Sequence, residues 1–521
     1  MGQLVFQATL GGTTALVGPN TASTNSLTIP NASGALAWST SALTSGRVTY
    51  AGTGGLLQDS ANLLYSGTDL TVYGLTVGRG GGAGSTNTVL GNGALAANTT
   101  GIQNTAIGLQ TLSLNTTGGA SVAVGYGALN VNTTGGLNTA IGQFALQANT
   151  TASANTAVGY QAGYSNTTGA RLVAIGAYAG YTNNADNNTF VGGYSGYATT
   201  SGTENAALGD TSLRLNATGS YNVAIGKSAL FSTTASNNTA VGFQAGYSNT
   251  TGSVTAVGSY ALTSNTTGTG NSAFGLNALY ANTTGGSNTA IGSGIVGVIE
   301  GALRSNTTGS HNTSVGTGSL GSNTTSSDNT AVGYQAGYIC TGGSNVFIGS
   351  YAGNAVTSGA GLVLVGQGTV AGAATDTNEI VIGNGATGKG SNTGYIYPNA
   401  GGVYQGNNST LWSVTSDARL KKNIVDNTDG LNKITAIQVR NFEYRTADEV
   451  TELESQNAID IKGVQLGAIA QELQAILPDC VKTESTGVMS VDASNLTWYL
   501  INAVKELNAK VTALEAQLGA K

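Results

Sequence analysis

Residues 138–151 read NTAIGQFALQANTT, and the same order of polar and apolar positions returns along most of the chain. Thr139 and Ile141 alternate with Ala140, the period-two pattern of a strand with one buried face. The Asn-Thr-Thr-Gly element that follows favours a turn, because Asn and Thr side chains bond local backbone and Gly accepts positive φ. Aligned on the glycine that ends the apolar pair, the copies fall at Gly91, Gly108, Gly125, Gly142, Gly159, Gly176, Gly192, Gly209, Gly226, Gly242, Gly258, Gly275, Gly292, Gly316, Gly333, Gly349, Gly366 and Gly383. Every step is 16 or 17 residues except the 24 from Gly292 to Gly316, where GIVGVIE (294–300) reads as an insertion.

A fixed short period of this kind marks a solenoid. Seventeen residues are too few for strand-helix-strand and are expected to hold two short strands and two turns. The glycine either relieves crowding or supplies a backbone angle that other residues avoid. Stacked coils rise by roughly 4.8 Å each, so eighteen span on the order of 80 Å. The fold class is therefore mainly β: an elongated parallel β-solenoid or β-roll shaft over 83–395. One coil buries little apolar surface, so neighbouring coils, and neighbouring chains of a symmetric trimer, are expected to complete the core.

The flanks differ. Residues 1–82 alternate Thr, Val, Leu and Tyr with glycine breaks and predict short strands and tight turns. Residues 396–412 read as a linker. Beyond it charge returns: 26 of the 42 charged residues lie in 413–521, which reads as a separate small α+β domain. Within it, 430–445 predicts a short helix and then a strand. Residues 462–478 predict a strand entering a helix that Pro478 stops. Leu500, Val504, Leu507, Val511, Leu514 and Leu518 alternate steps of four and three, the seam of a coiled coil. Asp492 or Ser494 is the expected N-cap, and Glu506 and Lys510 an i, i+4 pair.

Composition narrows the function. Charged residues are 8%, with 80 glycines and four prolines, and no Gly-X-Y period admits collagen. The net charge of −6 and the lack of a basic stripe argue against a nucleic-acid partner. Cys340 and Cys480 make no disulfide framework or metal spacing, and a single histidine, His311, leaves no Ser-His-Asp triad or multi-histidine zinc site. No cofactor and no metal are expected. MGQLVFQATLGGTTALVGPN has no basic n-region or apolar h-region of a secretory signal, and no run of about 18 apolar residues predicts membrane insertion.

Four weaker patterns remain. GNGATGKG (383–390) nearly matches a phosphate-binding loop, but Gly390 stands where Ser or Thr would hold Mg²⁺. The N-T-T triplets match the glycosylation pattern, yet turn formation and stacked Asn/Thr ladders explain them better. Asp186 and Glu204 fall at nearly equivalent positions of adjacent coils and could approach the spacing of a glycosidase pair, which would make the shaft a polysaccharide depolymerase. Tyr160, Tyr164, Tyr178, Tyr181, Tyr194 and Tyr197 recur at matching coil positions. They either cover the flank of the solenoid or stack on sugar rings of a receptor.

Over 83–395 the repeat resembles the heads of trimeric autotransporter adhesins and the shafts of phage tail fibres, and 1–82 resembles the N-terminal segments of such fibres. SDARLK (416–421) resembles the S-D-x-R-x-K signature of the self-cleaving intramolecular chaperone of the endosialidase type. GAIAQELQAILPDCV, VDASNLTWYLINAVKEL and the terminal heptads continue that resemblance. It implies a Ser-Lys dyad in which Ser416 attacks the carbonyl of Thr415, Lys421 is the base, and Asp417 and Arg419 hold the site. A serine hydroxyl needs a neighbour to take its proton, and a lysine whose pKa burial has lowered can do so. Lys422 is the rival base. The bland alternative is a turn capped by Ser416 and Asp417 with both lysines in water. The resemblance further implies a homotrimer in the virion, bound at its N-terminus to a phage tail or baseplate protein and reaching a host cell-surface glycan or protein. A bacterial trimeric adhesin is the other family reading.

Overall fold

The computed structural model describes residues 47–51, 57–82, 86–294, 300–398, 403–405, 412–413, 418–453, 458–459, 461–483 and 487–520. The chain divides into two compact units, 1–414 and 415–521. In the first, strands Arg47–Ala51, Leu57–Tyr65, Leu70–Val72 and Leu75–Gly78 form an antiparallel meander that joins the first coil at Thr88–Gly91. From there to Gly394–Ile396 every strand is parallel to the next, one per coil, in about eighteen turns. Thr139 pairs with Thr156, Ala140 with Ala157 and Ile141 with Val158. The long step is bridged without a slip: Thr289 pairs with Thr313 and Ile291 with Val315.

Alanine faces inward. Ala140 and Ala157 are fully buried, and a second inward column, Ala128, Ala145 and Ala162, packs with Leu112, Leu129 and Leu146. The residues flanking Ala140 face outward. Gly142 answers both reasons given for its place: it has φ +135°, and a Cβ there would lie 2.4 Å from the carbonyl oxygen of Gly159 in the next coil.

Each coil holds one three- or four-residue strand, not the two that the repeat length suggests. The reason is backbone handedness. After the strand glycine, Phe144 (φ 60°) and Leu146 (φ 49°) are left-handed, and alternation with right-handed neighbours turns the chain instead of extending it. A left-handed non-glycine residue costs roughly 1–2 kcal/mol. Full burial of the leucine returns about 1.5–3 kcal/mol, which offsets the cost at Leu146. Where the leucine column switches to Gly180 and Gly196 (φ 57° and 60°), Phe190 replaces an inward alanine and fills the vacated space. Gly337, Gly353 and Phe347 repeat the exchange.

Two buried columns, mostly of asparagine, run along the shaft. Asn132 Nδ2 donates to Asn115 Oδ1 (2.8 Å) and to the carbonyl of Gly135 (2.9 Å). Asn138 Oδ1 accepts the backbone N–H of Asn155 (3.0 Å) one coil on. Outside them, Thr116 Oγ1 donates to the carbonyl of Thr133 (3.0 Å). Buried polar groups cost free energy unless bonded, and these ladders bond most of them, with exceptions such as Asn166 Oδ1.

The segment read as a linker continues the sheet. Val403–Gln405 lies antiparallel to Gly394–Ile396, and Trp412–Ser413 antiparallel to that. In the second unit, α1 (Leu431–Ala436) precedes strand Arg440–Phe442, which pairs with Gln465–Gly467. Then come α2 (Ala470–Gln474), the strand pair Val481–Thr483 and Met489–Val491, and α3 (Ala493–Gly519). Helix α2 ends before Pro478, which instead opens a 3₁₀ turn. Leu473, Leu477, Cys480 and Tyr499 form the core of this unit, with Ile434, Ile437 and Leu496 against it. No helix among the described residues is long and apolar enough to cross a membrane.

Candidate functional site: processing segment and aromatic column

Thr415, Ser416 and Asp417 lie outside the described residues. Arg419 sits in a 3₁₀ turn, Ala418–Leu420, whose Ala418 carbonyl accepts the backbone N–H of Lys421 (3.1 Å). Residues 418–429 are solvent-exposed, Lys421 and Lys422 among them. The chain is gripped again just beyond. Asn502 Nδ2 of α3 donates to the carbonyls of Asn427 (2.8 Å) and Asp429 (3.2 Å), and Glu506 Oε2 accepts the N–H of Leu431 (3.1 Å). Gly430 makes this closeness possible, since a Cβ there would lie 2.5 Å from the backbone nitrogen of Ala503. Among the described residues Glu506 forms no ion pair with Lys510; it is turned toward α1 instead.

Helix α3 starts as expected. Asp492 is its N-cap and accepts from Ser494 N (3.0 Å) and Asn495 N (3.4 Å). Lys482 Nζ stands 3.0 Å from Asp492 Oδ2 and, by that hydrogen bond first, holds the carboxyl below its ordinary pKa. On the far face Leu500, Val504, Leu507, Val511, Leu514 and Leu518 are all exposed, at 43–73%. Tyr499 OH donates to Asp479 Oδ2 (2.6 Å), and that bond, ahead of burial, raises the phenol pKa.

Residues 416–482 match the family described as chaperone of endosialidase. The match starts at Ser416, the nucleophile that the motif implies. With a β-solenoid shaft ahead of it, the chaperone segment fits a protein of the tail-fibre or endosialidase type. No curated protein and no solved structure matches the chain.

On the shaft, the six tyrosines come together. Tyr164, Tyr181 and Tyr197 stack at 5.1 Å with ring planes 6° and 10° apart. Tyr178 stacks on Tyr194 (4.8 Å, 19°) and meets Tyr160 edge-on (5.2 Å). Desolvation by neighbouring rings, then repulsion from nearby phenols, raises the pKa of Tyr181. Arg214 follows in the next coil, its guanidinium 5.2 Å from the Tyr194 ring centre, 6.0 Å from Tyr197 and 5.7 Å from Phe231. Sequence reading passed over Arg214; the signal was its position, one repeat after Tyr197.

The other patterns resolve locally. In the phosphate-loop lookalike, the N–H groups of Lys389 and Gly390 point at the buried carboxylate of Glu379 (2.8 Å from Gly390), so the loop's donors are already taken. The asparagines of the N-T-T triplets, Asn132, Asn149 and Asn166 among them, are fully buried with Nδ2 bonded inside the coil. Asp186 and Glu204 are offset by one position: Glu204 aligns with Asn187, while Asp186 Oδ1 accepts from Ala170 N (2.8 Å) and Oδ2 lies 3.8 Å from Arg171.

Proposed function

We propose that the protein is a phage tail fibre, a homotrimer in the virion whose shaft reaches a host cell-surface glycan or protein and whose N-terminal region binds a phage tail or baseplate protein. The observation that carries the reading is the match of 416–482 to the chaperone of endosialidase directly behind a β-solenoid. Two exposed apolar surfaces support the trimer. One is the α3 seam. The other is the outward row Ile141, Ile175, Ile225, Ile291, Ile348 and Ile382, each 38–43% exposed and repeating down the shaft. The coils between them carry Val, Leu or Phe at the same position, so the apolar row continues along the shaft, and a second and third copy would cover it.

Processing follows from the motif. Lys421 takes the proton of Ser416 Oγ, which attacks the Thr415 carbonyl. The peptide C–N bond gives way to an ester, and the nitrogen of Ser416 becomes an amine. Water then cleaves the ester, leaving a Thr415 carboxylate and a free fragment 416–521, while Asp417 and Arg419 hold the segment. Parallel coils with non-local pairing fold slowly, and a domain that trimerises first holds three chains in register. Its release makes the remaining stability kinetic.

A denaturing gel with and without boiling tests this. Wild type is expected to yield fragment 416–521 and a boiling-sensitive trimer, and Ser416→Ala an intact chain. A chain that stays monomeric overturns the fibre. Cutting at the same bond in Ser416→Ala overturns the dyad.

A further inference from the structure

One side chain per coil forms a continuous outer column: Tyr164, Tyr181, Tyr197, Arg214, Phe231 and Tyr247. Register is set by backbone bonds such as Thr182 N to the Tyr197 carbonyl (3.1 Å) and Ala198 N to the Arg214 carbonyl (2.9 Å). Phe231 stacks on Tyr247 (4.9 Å, 14°), as the tyrosines stack above. Rings stacked face to face occupy one another's faces. What they leave for a ligand is their edges, which carry the positive end of the ring quadrupole, and their O–H donors.

Arg214 completes a surface of donors. The other arginines of the repeat shaft have a carboxylate close by: Arg171 has Asp186 (3.8 Å) and Arg304 has Glu300 (2.9 Å). Arg214 has none within 4 Å among the described residues, and is held by three rings instead. Beside it the inner aromatic column ends. Thr211 and Ser228 take the positions that Tyr178 and Tyr194 fill in earlier coils, with their hydroxyls paired at 2.9 Å. Lys227 and Asp210 (3.7 Å) flank them.

We propose that this column binds an acidic polysaccharide, a linear glycan bearing carboxylates, laid along the shaft with one carboxylate on Arg214. The inference rests on the fibre reading above and names the receptor class. A preset guanidinium offers a carboxylate two parallel donors. The phenols and the Thr211 hydroxyl suit sugar hydroxyls, and the column sets a donor in each coil but that of Phe231, as the polymer repeats its sugars. Lys227 already faces Asp210, which leaves Arg214 as the one cation here without a carboxylate close by, and one such cation among hydroxyls matches the glycan better than an acidic peptide, whose closely spaced carboxylates would need several.

The test uses the full-length protein with polygalacturonate, its carboxyl-reduced counterpart and polyglutamate as probes, measured by affinity electrophoresis and calorimetry. Polygalacturonate is expected to bind, and the other two to bind at least about ten-fold more weakly. Arg214→Gln is expected to lose about ten-fold in affinity and most of its salt dependence. Asp210→Asn, which removes a nearby negative charge, is expected to tighten binding, and Tyr181→Phe, which keeps the stack but not the donor, to weaken it. If Arg214→Gln does not assemble, the last two variants decide. Unchanged affinity across the variants, equal binding of the reduced polymer or of polyglutamate, or no binding of polygalacturonate overturns the proposal. A boiling-sensitive trimer that ignores polygalacturonate sinks only this site, whereas a monomer sinks the fibre reading.

Discussion

The carboxylate of Glu506, deep in α3, accepts the backbone N–H of Leu431 at 3.1 Å, 75 residues away in sequence. It caps α1, whose N-cap position is Gly430 and supplies no side-chain acceptor. The helix that carries the exposed apolar seam is thereby fastened to the segment that follows the processing motif. Glu506→Ala leaves a half-buried N–H without its partner, and a loss of about 1–2 kcal/mol is expected. Glu506→Gln retains an acceptor and is expected to lose less than half as much. Chemical denaturation followed by tryptophan fluorescence checks both, and equal losses would remove the capping role.

The asparagine ladder predicts a graded series. Asn132 donates to Asn115 and Gly135 and accepts from Asn149 (2.7 Å), so Asn132→Ala strands several buried groups. Asn166 donates only to Gly169 (2.7 Å), and its Oδ1 has no partner. Asn132→Ala is expected to cost at least about 2 kcal/mol more than Asn166→Ala. Unfolding rates of the assembled protein in denaturant, and yields of soluble protein, measure the difference.

Phe190 and Gly196 predict a rescue. A Cβ at Gly196 would sit 2.4 Å from the Phe190 ring, so Gly196→Leu alone is expected to destabilise severely. Phe190→Ala alone opens a cavity worth about 3–5 kcal/mol. Together the two changes recreate the ordinary alanine and leucine of other coils, such as Ala224 with Leu230. The double variant is expected to recover most of the combined loss. Additive losses in thermal unfolding would show that the two sites do not share one space.

Asp492 sets a pH dependence in the second unit. Its folded pKa is depressed, first by the hydrogen bond from Lys482. The stabilisation is therefore present above the unfolded value of about 3.9 and is lost as pH falls through the folded one. Melting of α3 by circular dichroism is expected to show an acid limb there. Asp492→Asn is expected to flatten that limb while keeping part of the cap; an unchanged limb assigns it to other carboxylates.

Periodicity carried the shaft. Glycine spacing located the coils from Thr88 to Ile382, and the apolar pair before each glycine located their strands, because both report a backbone constraint repeated many times over; the last parallel strand, Gly394–Ile396, lies beyond that series. The single strand per coil was not visible, since the left-handed conformations of Phe144 and Leu146 contradict the usual preference of such residues and depend on packing between coils, which buries Leu146 fully and Phe144 in part. In the second unit, short-range signals such as the Asp492 cap read correctly. The partner of Glu506 did not, because an i, i+4 lysine looked sufficient and the competing donor lies 75 residues away. The aromatic repeats were visible as a list of tyrosines, whereas the place of Arg214 among them emerged only from coil register.

The step from Gly292 to Gly316 takes seven residues beyond the ordinary seventeen, yet Thr289 still faces Thr313 and Ser314 follows Ala290. Axial advance and contour length are thus decoupled. Evolution can splice extra sequence into one circuit without lengthening the molecule, or duplicate a whole circuit and lengthen it by one fixed increment. The same tolerance marks this interval as a position at which a foreign peptide could be displayed from the rod.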